Sequence, residues 1–82
     1  MNSFEQEPIS MLEDIHTHFL NSVKVFRELV CLECDWSEPT FYRKLAATKH
    51  TAISNAEKRS IIEKAEYMVN RITDCINQHK QQ

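Results

Sequence analysis

Three sets of side chains in this sequence have types and spacings that could do chemistry. The first is Cys31-x-x-Cys34, in "CLEC", which has the spacing of a metal-binding or redox pair. A structural zinc site needs two further ligands, and His16-x-His18 and Cys75 are the residues on offer. No second close pair accompanies them, and "CLEC" falls in a segment that reads as helix rather than loop. A thioredoxin-like role needs a strand before the motif, and none is visible. The thiols of Cys31, Cys34 and Cys75 are an odd number without secretory context, so they are expected to be reduced. Buried free cysteine behaves as a small hydrophobe, which is the reading adopted for Cys31 and Cys34.

The second set is cysteine with histidine as nucleophile and base. Nothing in the sequence orients a base or forms an oxyanion hole, so catalysis is not expected, nor is a cofactor or resident metal. His16, His18, His50 and His79 share no spacing, and most of them read as exposed polar positions. His50, among Thr48, Lys49 and Thr51, is placed where it could add a phosphate contact.

The third set is concentrated in "CDWSEPTFYRKLA", residues 34–46. Ser37, Glu38, Thr40, Tyr42, Arg43 and Lys44 bring hydroxyls, a carboxylate and cations onto one short element. Arg43 can donate two hydrogen bonds to a guanine edge, and Thr40 can touch a thymine methyl or a phosphate. A helix N-terminus at Ser37 offers free amides to a phosphate. Tyr42 suits a phosphate or the edge of a core. Lys44, Lys49, Lys58 and Arg59 suit phosphate contacts blind to sequence. Glu38 fits less well: it can accept from a cytosine amino group but repels the backbone. A plainer reading also stands, in which Trp36 and Phe41 are core aromatics at a tight corner and Arg43-Lys44 is a solvated face.

These residues need elements to hold them. The 82-residue chain is enough for one small domain, and its size makes it marginal unless a partner adds buried surface. Gly is absent, which removes the favoured hairpin turns and Gly-rich phosphate loops and leaves an all-α chain. No apolar run is long enough to span a membrane, and the acidic start "MNSFEQEPIS" lacks the order of a signal peptide. A cytoplasmic protein is expected. Ser10 caps a first helix over about 10–33, with Glu13 placed to close a capping box. Leu12, Ile15, Phe19, Val23, Phe26 and Val30 form its apolar stripe, and Asn21-Ser22 leaves open one helix or two. A second helix over 37–46 carries Pro39 in its first turn, with Phe41 and Leu45 facing in and Lys44 facing out. "SNAE", Ser54 to Glu57, is a capping box for a long last helix over 54–77. Residues 1–8 and 78–82 are expected to fray. The first and last helices should pack together, with the short one across an end.

Net charge is −2, against a strongly basic binder, but it is unevenly spread. Residues 1–38 carry eight acids and two bases, giving −6, and residues 39–64 carry six bases and two acids, giving +4. The positive part begins inside the corner.

Residues 27–45 can be aligned on a helix-turn-helix. Cys31 is the small residue of the first helix, Val30 and Cys34 its apolar positions, and Trp36 the apolar plug of the turn. Asp35 stands where positive φ is needed, a conformation Asp tolerates better than most residues. "WSEPTFYRKL" followed by "ISNAEKRSIIEKA" resembles small helix-turn-helix regulators of bacterial phages and mobile elements. The resemblance covers about residues 27–66. It departs from the usual pattern in lacking Gly at the turn and in placing Leu45 one position late. It implies a helical domain that binds duplex DNA, often as a dimer, through the second helix of the motif, in transcription regulation at the nucleoid. The surplus apolar surface around Met68, Ile72, Cys75 and Ile76 is the expected homodimer interface. No small-molecule substrate is evident. The rival reading is a helical protein-interaction or assembly module that does not bind DNA.

Overall fold

The computed structural model describes residues 10–47 and 53–81. They form three helices and no strand: α1 (Met11–Cys34), α2 (Glu38–Ala46) and α3 (Asn55–Lys80). The all-α expectation holds, and among the described residues no helix is long and apolar enough to cross a membrane.

Each helix starts where a side chain satisfies its first amides. Ser10 Oγ accepts from the Glu13 amide at 3.0 Å, Ser37 Oγ from Thr40 at 3.2 Å, and Ser54 Oγ from Glu57 at 3.1 Å. At Ser54 the box is reciprocal, since the Ser54 amide donates to Glu57 Oε1 at 3.0 Å.

α1 is a single helix. Asn21-Ser22 does not interrupt it, because the Ser22 hydroxyl turns back and donates to the His18 carbonyl at 2.6 Å. α3 runs three residues beyond the expected stop at Asn77, so part of the tail expected to fray is helical. No Gly or Pro stops it, and His79 is held by Asp14 at 2.7 Å.

α1 and α3 lie antiparallel. Near one end Asp14 meets Cys75 and His79; towards the other Lys64 pairs with Glu33 at 3.6 Å. The long helices make most of the tertiary contacts, and α2 sits against the end of α1. Among the described residues, the fully buried hydrophobic side chains are Val30, Met68 and Cys75.

Two orientations differ from those expected. The apolar stripe of α1 is buried only in part: Val30 is buried and Ile15 and Phe26 are half-buried, but Leu12, Phe19 and Val23 are exposed. α1 instead presents the line Asp14, His18, Ser22 and Val25, and the last three border a cavity of about 160 Å³ with Met68 and Arg71. α2 is also rotated from the expected setting. Leu45 is 68% exposed, while Lys44 is half-buried with its ammonium 5.0 Å from the Trp36 ring centroid. An ammonium over an indole face is a favourable contact that accompanies this rotation.

Candidate functional site

The corner between α1 and α2 is built from four consecutive residues. Cys34 ends α1, and Asp35 takes the left-handed conformation (φ 58°, ψ 44°) and reverses the chain. Trp36 donates its amide to the Cys31 carbonyl at 2.9 Å, and Ser37 caps α2. Asp35 is the one positive-φ residue among those described. Asp is among the few non-Gly types that reach this region at modest cost, so the turn forms without glycine.

Trp36 ties this corner to α3. Its indole Nε1 donates to Glu57 Oε2 at 3.1 Å, while Glu57 Oε1 holds the Ser54 amide. Glu57 therefore caps α3 and receives the turn with the same carboxylate. The Ser54 backbone bond, with help from the Trp36 indole and the Lys44 charge, lowers its pKa below the ordinary value. Burial, followed by the charges of Glu57 and Glu33, pushes the Cys34 thiol up, which fits a protonated packing residue. Beside Trp36 an open apolar cavity of about 240 Å³ is lined by Phe26, Val30, Phe41, Leu45, Ile53 and Ile61, among others.

The residues expected to contact a nucleic acid divide into three groups. Glu38 and Tyr42 are both engaged by Arg27: its Nε lies 3.2 Å from Glu38 Oε2, and its Nη1 donates to the Tyr42 hydroxyl at 3.0 Å. Ser37, Thr40 and Arg43 form a chain along α2, with the Ser37 hydroxyl donating to Thr40 Oγ1 at 2.9 Å and Arg43 Nη2 donating to the same oxygen at 3.1 Å. Lys44 stacks on Trp36 rather than pointing away. Lys58 and Arg59 are exposed on α3. Lys49, like His50, lies outside the described residues.

The expected dimer residues divide as well. Met68 and Cys75 are buried between α1 and α3, so they belong to the chain's own core. Ile72 and Ile76 are half-buried. At 100° per residue, the apolar flanks of α1 (Leu12, Phe19, Val23) and α3 (Ile62, Val69, Ile76) lie roughly 110–120° from the seam lines set by Asp14, His18 and Ser22 on α1 and by Met68 and Cys75 on α3. In an antiparallel pair both rotations point to the same side. The hairpin thus has one continuous apolar face, and Leu12, Phe19, Val23, Ile62 and Val69 are exposed on it.

Sequence reasoning offered His18 and Cys75 only as partners for Cys31-x-x-Cys34 and missed the cluster they form with Asp14. Asp14, His18 and Cys75 bring three donor atoms within 4.8 Å of one another, and His79 adjoins them through Asp14. The signal was present as two i,i+4 pairs, Asp14 with His18 and Cys75 with His79, each on one helix face. Only the antiparallel register brings the pairs together. The His79 hydrogen bond is the chief cause that lowers the Asp14 pKa. Burial, then the Asp14 carboxylate, pushes the Cys75 thiol up.

No protein-family model matches the chain, and no curated protein or solved structure matches it either.

Proposed function

We propose that this chain binds duplex DNA through the α1–α2 corner, without catalysis, as a homodimeric regulator of the kind found in bacterial phages and mobile elements. The observation that supports this reading most directly is the turn itself. It has a left-handed residue at Asp35, an aromatic plug at Trp36 and a capped second helix starting after Ser37. That is the local geometry a groove-reading helix needs.

The charge arrangement supports it further. Glu38, the worst fit to a DNA backbone, is paired with Arg27. Glu33 is paired with Lys64, and Glu57 is occupied by Trp36 and Ser54. The acids of this end are thus partly neutralised, while Arg43, Lys58 and Arg59 remain exposed. Thr40 draws the Arg43 guanidinium back toward the N-terminus of α2, the end that enters a groove in such motifs. The exposed apolar face is what a second copy would cover.

Selection from random duplex DNA at low salt tests the reading. The expected result is an enriched sequence whose affinity falls steeply with salt. A folded protein that retains no duplex DNA at low salt overturns it.

A second reading has its own support. Five large apolar side chains on one face suit a protein-interaction or assembly module equally well. Tight self-association together with indifference to DNA favours that module.

A further inference from the structure

We propose that Asp14, His18 and Cys75 form a binding site for one zinc-class divalent ion, with His79 orienting the Asp14 carboxylate. The site lies at the end of the hairpin away from the corner and is independent of the DNA-binding reading.

Distances carry the argument. Cys75 Sγ lies 3.5 Å from His18 Nδ1 and 3.5 Å from Asp14 Oδ2, and His18 Nδ1 lies 3.4 Å from Asp14 Oδ1. A tetrahedral ion with Zn–S of about 2.3 Å and Zn–N or Zn–O of about 2.0–2.1 Å spaces its ligand atoms about 3.3–3.6 Å apart. All three measured separations fall in that range. The Asp14 carboxylate sets Oδ1 against the imidazole and Oδ2 against the sulfur, and one ligand atom from each residue lies within 4.8 Å of the others, so a small turn of the carboxyl closes the three donors on one ion.

The chemistry of the set agrees. Thiolate, imidazole and carboxylate together suit zinc or cobalt(II) rather than calcium or magnesium, which prefer all-oxygen shells. Cys75 is 4% exposed, so its sulfur is held in place. The His79 side chain is 13% exposed and its Nε2 lies 2.7 Å from Asp14 Oδ2. That separation is too short for two ligands of one ion and right for a hydrogen bond that fixes a ligating carboxylate. An open cavity of about 240 Å³, lined by His18, Arg71, Asp74, Cys75 and Gln78, gives water access to the fourth position.

Loading requires one exchange. His18 Nδ1 donates to the Asp14 carbonyl at 2.9 Å, so loading requires the imidazole to give up that bond, move its proton to Nε2 and offer Nδ1 to the metal. The Cys75 thiol gives its proton to solvent as the metal–sulfur bond forms. Asp14 and Cys75 then contribute two negative charges, which balance the divalent ion. The ion bridges the start of α1 and the end of α3, and so clamps the open end of a hairpin with few buried side chains.

Cobalt(II) is the probe, because a thiolate ligand gives it a sulfur-to-metal charge-transfer band. The expected result is one ion per chain, with the band kept in the double variant Cys31→Ala/Cys34→Ala and lost in Cys75→Ser. His18→Ala, at a half-exposed position, should weaken binding at least tenfold while helicity is kept. Zinc at 100 times its Kd should raise the folding equilibrium constant of the wild type about 100-fold, with reversal by chelator. A wild type without the band, or a band that survives Cys75→Ser, overturns the proposal, the latter moving the metal to Cys31 and Cys34. Should Cys75→Ser not fold, unchanged affinity in His18→Ala overturns it equally.

Discussion

If the apolar face of the hairpin is a homodimer interface, Val69 is the best place to break it. Val69 is 59% exposed in the single chain, so it contributes little to that chain's own packing. Full burial of a valine stabilises by about 2 kcal/mol, of which roughly 1.2 kcal/mol remains to be gained on association. Val69→Ala deletes two of three side-chain carbons, and thus about 0.8 kcal/mol of that gain. A two-fold dimer contains the position twice, so the loss is about 1.6 kcal/mol, or roughly 15-fold in Kd. Val69→Glu goes further, since an unpaired carboxylate buried in an apolar contact costs several kcal/mol; no dimer should survive at ordinary concentrations. Sedimentation equilibrium measures both, and circular dichroism should show unchanged helicity because the position is exposed in the monomer. A wild type that stays strictly monomeric to roughly 100 µM, a concentration at which even weak specific pairs form, would refute the reasoning. So would a dimer indifferent to Val69→Glu.

Three further outcomes follow from the corner. Arg43→Ala should leave folding within about 0.5 kcal/mol and weaken specific DNA binding by roughly 1–3 kcal/mol with relaxed preference at one base; Lys58→Ala should weaken all sequences alike and lower the salt slope by roughly one. Unchanged binding titrations for both would leave the corner a structural feature only. Asp35→Val should destabilise by about 1–2 kcal/mol in urea melts, because a β-branched residue resists the left-handed conformation, whereas Asp35→Gly should be tolerated. Glu57 has a folded pKa below its unfolded one, so its contribution to stability is present above the ordinary carboxylate range and is lost as pH falls through the folded value. Fluorescence of Trp36, the single tryptophan, should therefore report an acid transition below that range, and the transition should be absent in Glu57→Gln, whose amide oxygen still accepts from the indole.

What the sequence revealed was mostly local. The caps at Ser10, Ser37 and Ser54 were legible because each depends on residues within one turn of the chain. The reversal at Asp35 was legible because its place in the turn demands positive φ. The rotation of each helix was not. Amphipathic reasoning assigns the whole apolar stripe of α1 to the chain's own core, but Leu12, Phe19 and Val23 stay exposed and Asp14, His18 and Ser22 lie on the side that meets α3. That choice is possible because each of these polar groups has a partner: Asp14 has His79, His18 has the Asp14 carbonyl, and Ser22 has the His18 carbonyl. The orientation of α2 was missed for a related reason, since Lys44 has Trp36 to stack on while Leu45 borders an apolar cavity that is open to solvent.

The polar seam and the exposed stripe are consequences of one arrangement. A hairpin that spends Asp14, His18, Cys75 and His79 on its seam holds its helices by directional contacts at one end, and through Trp36 and Glu57 at the other. Leu12, Phe19, Val23, Ile62 and Val69 are then left to the side, where they can meet a surface outside the chain. With Val30, Met68 and Cys75 as the fully buried hydrophobics among the described residues, a lone hairpin has little full burial to offset the entropy of ordering about seventy residues. Covering the face would supply the missing burial, so folding and association should be linked, and the melting temperature should rise with protein concentration. The corner, fastened to α3 by a hydrogen bond from Trp36 and a stacked Lys44, would then be carried in duplicate at fixed separation. Two reading heads at a set distance are what a two-fold DNA site requires.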